Sequence, residues 1–128
     1  MITIIFITIA AILNAIMDMV GVKYNLTIFS LYPKLNQFSN GSVSWMNKYK
    51  NKDPKQGPAF PFAMGPLVFL TDMWHLCKTL MLICFSFAIV FYKPIFGVID
   101  FFIFWNYFGV IFTIFYDYLL RKKFWGIN

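Results

Sequence analysis

Residues 70–92 read LTDMWHLCKTLMLICFSFAIVFY, and this stretch indicates which kind of fold the chain can adopt. An aspartate, the only histidine of the chain and a lysine stand within seven positions near its start. Beyond Lys78 it carries no charge at all. A helix needs about 20 apolar residues to cross the hydrocarbon core of a membrane. The stretch therefore predicts a membrane-spanning helix with ionisable groups at one end.

The composition of the whole chain points to a membrane as well. Of its 128 residues, 60% are hydrophobic and 12% are charged, whereas soluble domains carry roughly 25% charged residues. A soluble chain of this length buries only about two thirds of its surface, so it could not hide so much apolar area from water. The net charge of +6 would suggest nucleic acid in a soluble protein. Here we expect the lipid bilayer as the partner and no nucleic acid.

The apolar stretches and the breaks between them define one membrane domain. We predict an all-α integral membrane protein with three transmembrane helices and a basic cytoplasmic loop between helices one and two. Lys93-Pro94 separates the second and third helices, because proline favours a helix start and disfavours helix in the preceding residue. The predicted segments are a first span over 1–22, a loop over 23–66, spans over 67–92 and 95–120, and a basic tail over 121–128.

The distribution of cations predicts the orientation of these spans. Three spans place the loop and the tail on one side, which carries nine cations, whereas the other side carries Lys93 and the α-amino group. Loops rich in lysine and arginine remain in the cytoplasm. We therefore expect the inner (cytoplasmic) cell membrane, with the N-terminus outside and the C-terminus in the cytoplasm.

Each predicted span has small or polar residues at helical spacing, among large apolar residues suited to lipid. Such residues allow helices to approach closely and to form interhelical hydrogen bonds. We therefore expect the stripes to face one another. The wide aromatic faces that remain favour a homo-oligomer or contacts with other membrane subunits. The stripes are Thr8, Ala11, Asn14, Ala15 and Asp18 in the first span, Asp72, His75, Thr79 and Ser86 in the second, and Asn106, Gly109, Thr113 and Asp117 in the third.

Four ionisable residues, Asp18, Asp72, His75 and Asp117, fall in one predicted layer near the cytoplasmic face, and ionisable groups in membrane spans often have a function. Asp72 and His75, three residues apart on one helix face, predict a metal site with Asp18 or Asp117. Oxygen ligands with one imidazole suit Mn, Fe, Mg or Zn without deciding which cofactor is bound. Alternatively, His75 is a catalytic general base oriented by Asp72, acting on a lipid-borne substrate.

Simpler structural roles compete with both site hypotheses. A side chain at the start of the second helix can accept a backbone N–H bond, and an arginine four residues after an aspartate can pair with it. Lysine near a helix end extends toward the headgroups. The roles expected on this basis are an N-cap at Thr71 or Asp72, a pair of Asp117 with Arg121, interfacial positions for His75 and Lys78, an outward-facing Asp100, and buried thiols at Cys77 and Cys84.

Residues 44–75, SWMNKYKNKDPKQGPAFPFAMGPLVFLTDMWH, carry the patterns S-W-x-N-K-Y-K, D-P-x-Q-G-P-x-F-P and F-L-T-D-x-W-H. This segment, about a quarter of the chain, resembles one found in small uncharacterised polytopic membrane proteins of bacteria and their phages. The resemblance implies a small polytopic membrane protein whose loop and TDxWH segment form one unit, and it implies no activity. Asn51-Lys52 departs from the single turn residue expected before Asp53.

These observations support several functions. The first is a small integral subunit that homo-oligomerises or packs into a larger membrane complex, and a pore-forming version would place Asn14, Thr79, Asn106 or Thr113 around a lumen. The alternative is a membrane-embedded metal- or His-dependent enzyme acting at the cytoplasmic leaflet. A third is an adaptor that binds anionic lipid or nucleic acid through lysines 48–55. No HExxH, nucleophile-elbow or P-loop motif is present in the sequence.

Overall fold

The computed structural model describes residues 1–127 and is all-α. No β-strand occurs in this part of the chain, which has only two isolated β-bridges. Three helices are long and apolar enough to cross a membrane, as predicted. Residue 128, the last of the predicted tail, lies outside the described part. The α-helices are α1 (Ile2–Val22), α2 (Asn36–Ser39), α3 (Gly41–Ser44), α4 (Met73–Val90) and α5 (Ile99–Thr113). A π-helical segment, Ile114–Leu119, extends α5.

Helix α4 begins at the predicted N-cap rather than at the predicted edge of its span, and α5 begins later than its predicted span. The predicted second span starts at residue 67, but Val68–Leu70 forms a separate 3-10 turn and α4 starts at Met73. The predicted third span starts at residue 95, but a turn with Gly97 at φ +68° precedes Ile99. Glycine adopts this left-handed conformation at little cost, so it allows the chain to reverse between the two spans.

The polar segment between α1 and α4 folds into a cap of short helical turns. Within it, the carboxylate of Asp53 accepts hydrogen bonds from the backbone N–H of Lys55 (2.9 Å) and from the side chain of Gln56 (3.0 Å). These bonds hold the pKa of Asp53 below its usual value. The 3-10 turns of the cap are Tyr24–Leu26, Ile28–Leu31, Pro33–Leu35, Trp45–Lys48, Lys50–Lys52, Pro54–Gln56 and Val68–Leu70.

The cap and the C-terminal tail lie at the same end of the helices. The backbone N–H of Ile28 donates to the carbonyl of Leu120 (3.0 Å), and Thr27 forms a β-bridge with Arg121. We call this end the loop side, and we call the other end, which carries the turn 91–98, the hairpin side. The nine cations counted in the sequence therefore belong to segments at one end of the molecule.

Helix α1 packs against both other spans. Its residues Ala10, Ala11 and Ala15 are completely buried, and such small side chains let helices approach closely. On one side Phe6 stacks on Phe87 of α4, with 5.2 Å between the ring centroids. On the other side Thr8 shares a 2.8 Å hydrogen bond with Tyr107 of α5. Three residues of the predicted α1 stripe, Thr8, Ala11 and Ala15, therefore pack inside the molecule.

The stripe of α5 does not pack in this way. Asn106, Gly109 and Thr113 are all exposed on the surface of the helix. The amide of Asn106 donates to the carbonyl of Phe102 in its own helix (2.8 Å) rather than to a neighbouring span. In the second span Ser86 is exposed as well. The expectation that all three stripes face one another is therefore wrong for α5.

Asp100 also differs from its predicted position on an outer face, because it is only 3% exposed. Its carboxylate accepts hydrogen bonds from the Tyr92 hydroxyl (2.7 Å) and from the backbone N–H groups of Ile95 (2.8 Å) and Phe96 (3.1 Å). The bond to Asp100 raises the pKa of Tyr92 above its usual value. Asp100 therefore organises the turn on the hairpin side. Among the other predicted structural roles, Cys77 and Cys84 are buried free thiols, as expected.

Candidate functional site at the start of helix α4

Asp72 determines where α4 begins. Its backbone is extended, and its Oδ1 accepts a hydrogen bond from the backbone N–H of His75 (2.9 Å). A side-chain oxygen at this position satisfies one of the free N–H groups of the first helical turn and stabilises a helix by about 1 kcal/mol. The predicted N-cap is therefore confirmed at Asp72 rather than at Thr71.

The second carboxylate oxygen of Asp72 forms a dyad with the imidazole of His75. Oδ2 of Asp72 lies 2.7 Å from Nδ1 of His75, and the hydroxyl of Thr71 is 3.0 Å from the same oxygen. A carboxylate accepts hydrogen bonds, so this geometry places a ring proton on Nδ1, and in the neutral imidazole Nε2 is then the acceptor. Asp72 is 2% exposed, whereas 25% of the His75 side chain is exposed. A buried carboxylate thus orients a partly accessible imidazole.

The loop and a neighbouring tryptophan hold this dyad in place. The side-chain amide of Asn47 donates to the carbonyl of Thr71 (2.9 Å) and to the carbonyl of Gln37 (2.7 Å). The Trp74 ring lies edge-on to the imidazole of His75, with 4.9 Å between their centroids. Lys78 places its Nζ 4.9 Å from the centroid of the Trp74 ring, a cation–π distance. The start of α4 is therefore braced by both the loop and the aromatic side chains around it.

The other two predicted metal ligands do not join the dyad. Asp117 pairs with Arg121 at 3.1 Å on the exposed surface, which confirms the simpler role considered for it. Asp18 is partly buried in α1. Within residues 1–127, no group of three or more His, Cys, Asp or Glu side chains lies close enough to hold a metal ion. The structure thus brings together two of the four predicted ligands, Asp72 and His75.

The chemistry available at this site follows from the free nitrogen of His75. A neutral Nε2 can take a proton from water or from a substrate hydroxyl, and a partner carboxylate on Nδ1 stabilises the imidazolium that results. The same nitrogen can bind a metal as a single ligand. The site lies where α4 meets the loop, so a group attached to a lipid headgroup on the loop side could reach it.

A second feature, a cleft among the three spans, was not predicted from the sequence. It has a volume of ≈ 670 Å³ and lies between α1, α4 and α5. Its walls are largely aromatic and contain no recognisable sequence motif. The small residues among the phenylalanines are the sequence feature that could have indicated open space there. Asn14, predicted as part of the α1 stripe, lies in this wall. The cleft is lined by Thr3, Ile7, Asn14, Phe85, Ala88, Ile89, Tyr92, Gly97, Phe101, Phe104, Trp105, Phe108, Gly109 and Phe112.

Comparison with known proteins adds no relative from which a role could be inferred. No protein-family model, curated protein or solved structure matches the chain. The fold and the composition define the class of protein: a small all-α membrane protein with three helices that can span a bilayer. Any function assigned within that class rests on the chain's own residues.

Proposed function

We propose that the protein is a small membrane subunit that self-associates through the exposed face of α5, or packs into a larger complex through that face. The observation that carries this proposal is Gly109. A Cβ built at this position meets no atom of the described residues within 4 Å, so the protomer itself gives no packing reason for a glycine. Glycine inside a helix costs about 1 kcal/mol relative to alanine. Close approach of a second helix would account for it.

The neighbours of Gly109 support the same role. Gly109 and Thr113 form a small-xxx-small pair, a pattern common at contacts between membrane helices. Asn106 lies on the preceding turn, and its side-chain oxygen remains available as an acceptor. These three residues, which we call the α5 stripe, are exposed together. In lipid, an amide or a hydroxyl has a lower free energy when it is hydrogen-bonded to a protein partner than when it contacts hydrocarbon.

The three spans also differ in how much of their surface the molecule covers. Buried residues make up 33% of the α1 span and 17% of the α4 span, but only 6% of the α5 span. Helix α5 is therefore the span with the largest surface available to another protein. Lipid alone could cover its aromatic residues, so the small and polar α5 stripe is what favours protein over lipid at this face.

The proposal is tested by measuring the oligomeric state in liposomes, using single-molecule photobleaching at decreasing protein-to-lipid ratios. Gly109→Leu and Thr113→Leu place bulk on the α5 stripe and should each weaken association by about tenfold, equivalent to about 1.4 kcal/mol. Val110→Leu is the matched control, because Val110 is exposed next to the stripe but not part of it. A wild-type protein that stays monomeric and carries no copurified subunit would contradict the proposal. So would equal association of all three variants.

Pore formation is one version of this assembly. In an oligomer joined through α5, Asn106 and Thr113 would lie along the seam between protomers, where polar side chains can line a lumen. Ion flux across liposomes would then depend on the same residues. Flux that persists after Thr113→Leu has dispersed the oligomer would argue against the pore version and leave the assembly itself intact.

We also propose that the loop side faces the cytoplasm, since nine cations lie in the loop and the tail. Single cysteines introduced at Lys52 and Lys93, in a background that lacks Cys77 and Cys84, would test this in intact cells. A thiol reagent that cannot cross the inner membrane should label the cysteine at position 93 and spare the one at position 52. The reverse labelling would overturn the orientation.

A second candidate function is favoured by the Asp72–His75 dyad. It is a His-dependent enzyme that acts on a lipid-borne substrate at the loop side, with His75 as general base and Asp72 as the group that orients it. Incubation of the protein with labelled phospholipids, followed by mass spectrometry of the products, tests this function. His75→Ala should abolish product formation, whereas Lys78→Ala should retain it. Product formation that survives His75→Ala would exclude His75 as the base.

A further inference from the structure

The cleft among the three spans has the length of one leaflet of a membrane. Along α1 its lining runs from Thr3 to Asn14, which is about 16 Å at 1.5 Å per residue. Half of a hydrocarbon core of about 30 Å is about 15 Å. The two polar residues stand at the ends of this distance, and Ile7 lies between them. The apolar part of the cleft therefore extends from the hairpin side to about the middle of the bilayer.

A cleft of this kind does not stay empty or hold water. Its walls are mainly phenylalanine, isoleucine and tryptophan, and water does not occupy apolar cavities that offer it no polar partners. The surrounding bilayer offers two kinds of filler, which are an acyl chain and a helix from another protein. Because lipid is the solvent here, the occupant is selected by packing contacts and by charge rather than by transfer from water.

The ring contacts between α4 and α5 favour the acyl chain. Phe85 of α4 and Phe108 of α5 stack with 5.8 Å between their centroids. Nearer the hairpin side, Tyr92 and Phe104 are in edge contact with 6.1 Å between theirs. These contacts join α4 to α5 at two levels, so a further helix, which needs about 8–10 Å to each neighbouring axis, cannot insert between the two spans there. An acyl chain is thin enough to lie along the rings, at a van der Waals distance of about 4 Å.

The mouth of the cleft carries a positive charge. Tyr92 and Gly97 line its end on the hairpin side, and the exposed Lys93 directly follows Tyr92. The carboxylate nearby, Asp100, is buried and bonded to Tyr92 and to backbone N–H groups. Lys93 and the α-amino group of Met1, which is exposed two residues before Thr3, are thus the cations available to a headgroup on the hairpin side. A phosphate-bearing headgroup without a compensating cation matches them.

We propose that the cleft binds one acyl chain of an anionic phospholipid from the leaflet at the hairpin side, with the lipid phosphate at Lys93. The chain lies along the aromatic side chains of α4 and α5 that line the cleft and ends near Asn14. The cleft shares Gly109 with the α5 stripe, whereas Asn106 and Thr113 do not line it, so Thr113→Leu tests association through the stripe without filling the cleft.

Native mass spectrometry of the purified, delipidated protein, titrated with dioleoyl phosphatidylglycerol or dioleoyl phosphatidylcholine, tests this site. We expect one retained phosphatidylglycerol per protomer and weaker retention of phosphatidylcholine. Ile89→Trp fills the cleft from α4 and should weaken retention of both lipids about fivefold or more, equivalent to about 1 kcal/mol. Val90→Trp is the matched control, because Val90 is as exposed as Ile89 (73% and 76%) but does not line the cleft.

Two further variants identify the occupant. Lys93→Gln should weaken the preference for phosphatidylglycerol while leaving retention of phosphatidylcholine unchanged, because the α-amino group remains on the same side. Asn14→Leu should leave retention of phosphatidylglycerol within about twofold, since the chain ends at that residue and forms no hydrogen bond there.

Equal retention by Ile89→Trp and Val90→Trp would overturn the proposal. Loss of the oligomer in Ile89→Trp would identify a partner helix as the occupant, and loss of binding in Asn14→Leu would identify a ligand with a polar group at its inner end. Either result would reject the acyl chain.

Discussion

A buried aspartate lies at each end of the helices, and the two aspartates have different hydrogen-bond partners. Asp100 on the hairpin side and Asp72 on the loop side are 3% and 2% exposed, and each stands at the beginning of a span. Asp100 is bonded to two backbone N–H groups and a tyrosine hydroxyl. Asp72 is bonded to one backbone N–H, a threonine hydroxyl and an imidazole that is itself partly exposed.

This difference separates a structural carboxylate from a candidate functional one. Each group bonded to Asp100 donates its one proton to that carboxylate within the turn, so the cluster has no free donor and no general base. Asp72 also begins a helix, but it shares its second oxygen with His75, whose Nε2 is left free for other chemistry. Burial of a carboxylate in a span is therefore not sufficient evidence of function. An accessible partner is the informative feature.

Removing Asp100 should produce the largest loss of stability. Asp100→Ala leaves the N–H groups of Ile95 and Phe96 and the hydroxyl of Tyr92 without their acceptor, and unmade hydrogen bonds in apolar surroundings are costly. We expect a loss greater than that caused by Asp72→Ala, measured by unfolding in mixed micelles. Asp100→Asn is the control, since its amide oxygen retains one acceptor, and it should fall between Asp100→Ala and the wild type. A smaller effect than that of Asp72→Ala would contradict the comparison.

Asp72→Ala should be the next most damaging change. It removes the cap of α4 and the hydrogen bond to Nδ1 of His75, which has no other partner among the described residues. We expect a loss of about 2 kcal/mol in the same unfolding assay. Thr71 loses less, because its single hydroxyl proton can be donated to the carbonyl of Val68 (2.7 Å) instead. Asp72→Ser restores a capping oxygen without the carboxylate, so it should recover about half of the loss. No recovery with serine would mean that capping is not the main contribution.

His75→Ala should cost less than about 1 kcal/mol, because the imidazole is partly exposed and its loss leaves the Asp72 cap in place. The sharper measurement is the tautomer of His75, since the chain has a single histidine and its ¹⁵N signals need no assignment. We expect the proton on Nδ1 in the wild type and the Nε2–H tautomer in Asp72→Ala. Nε2–H in the wild type would show that the 2.7 Å contact does not orient the ring as proposed.

The sequence could predict those features that depend on position along the chain. The lengths of the apolar runs predicted three spans, and the threonine and aspartate before Met73 predicted a cap there. Rotation of a helix about its axis could not be predicted for α5, because apolar side chains surround it and no polar face fixes which side packs inward. For that reason the direction of Asn106, Gly109 and Thr113 was wrong, and so was that of Asp100.

The same limit explains the candidate site. Asp72 and His75 are three residues apart on one helix, so local geometry alone brings them together. Asp18 and Asp117 lie on other spans, and their common depth in the membrane could be predicted without knowing whether they face the dyad. The structure pairs Asp117 with Arg121 and does not place Asp18 in a group of metal ligands. The position of a residue along its helix was predictable from sequence, whereas the direction of its side chain was not.

The smallest effect on stability is expected from Asp53, an aspartate of the loop that is neither buried nor in a span. Hydrogen bonds from Lys55 and Gln56 lower its pKa below the value of 3.8 for an unperturbed group. Because the folded pKa is the lower one, Asp53 stabilises its turn above pH 3.8, and this contribution is lost as the pH falls through the folded pKa. Hydrogen exchange at the Lys55 amide should therefore accelerate below that pH relative to its intrinsic rate. Asp53→Asn should remove this pH dependence while His75→Ala preserves it. The same pH dependence persisting in Asp53→Asn would contradict the role assigned to Asp53.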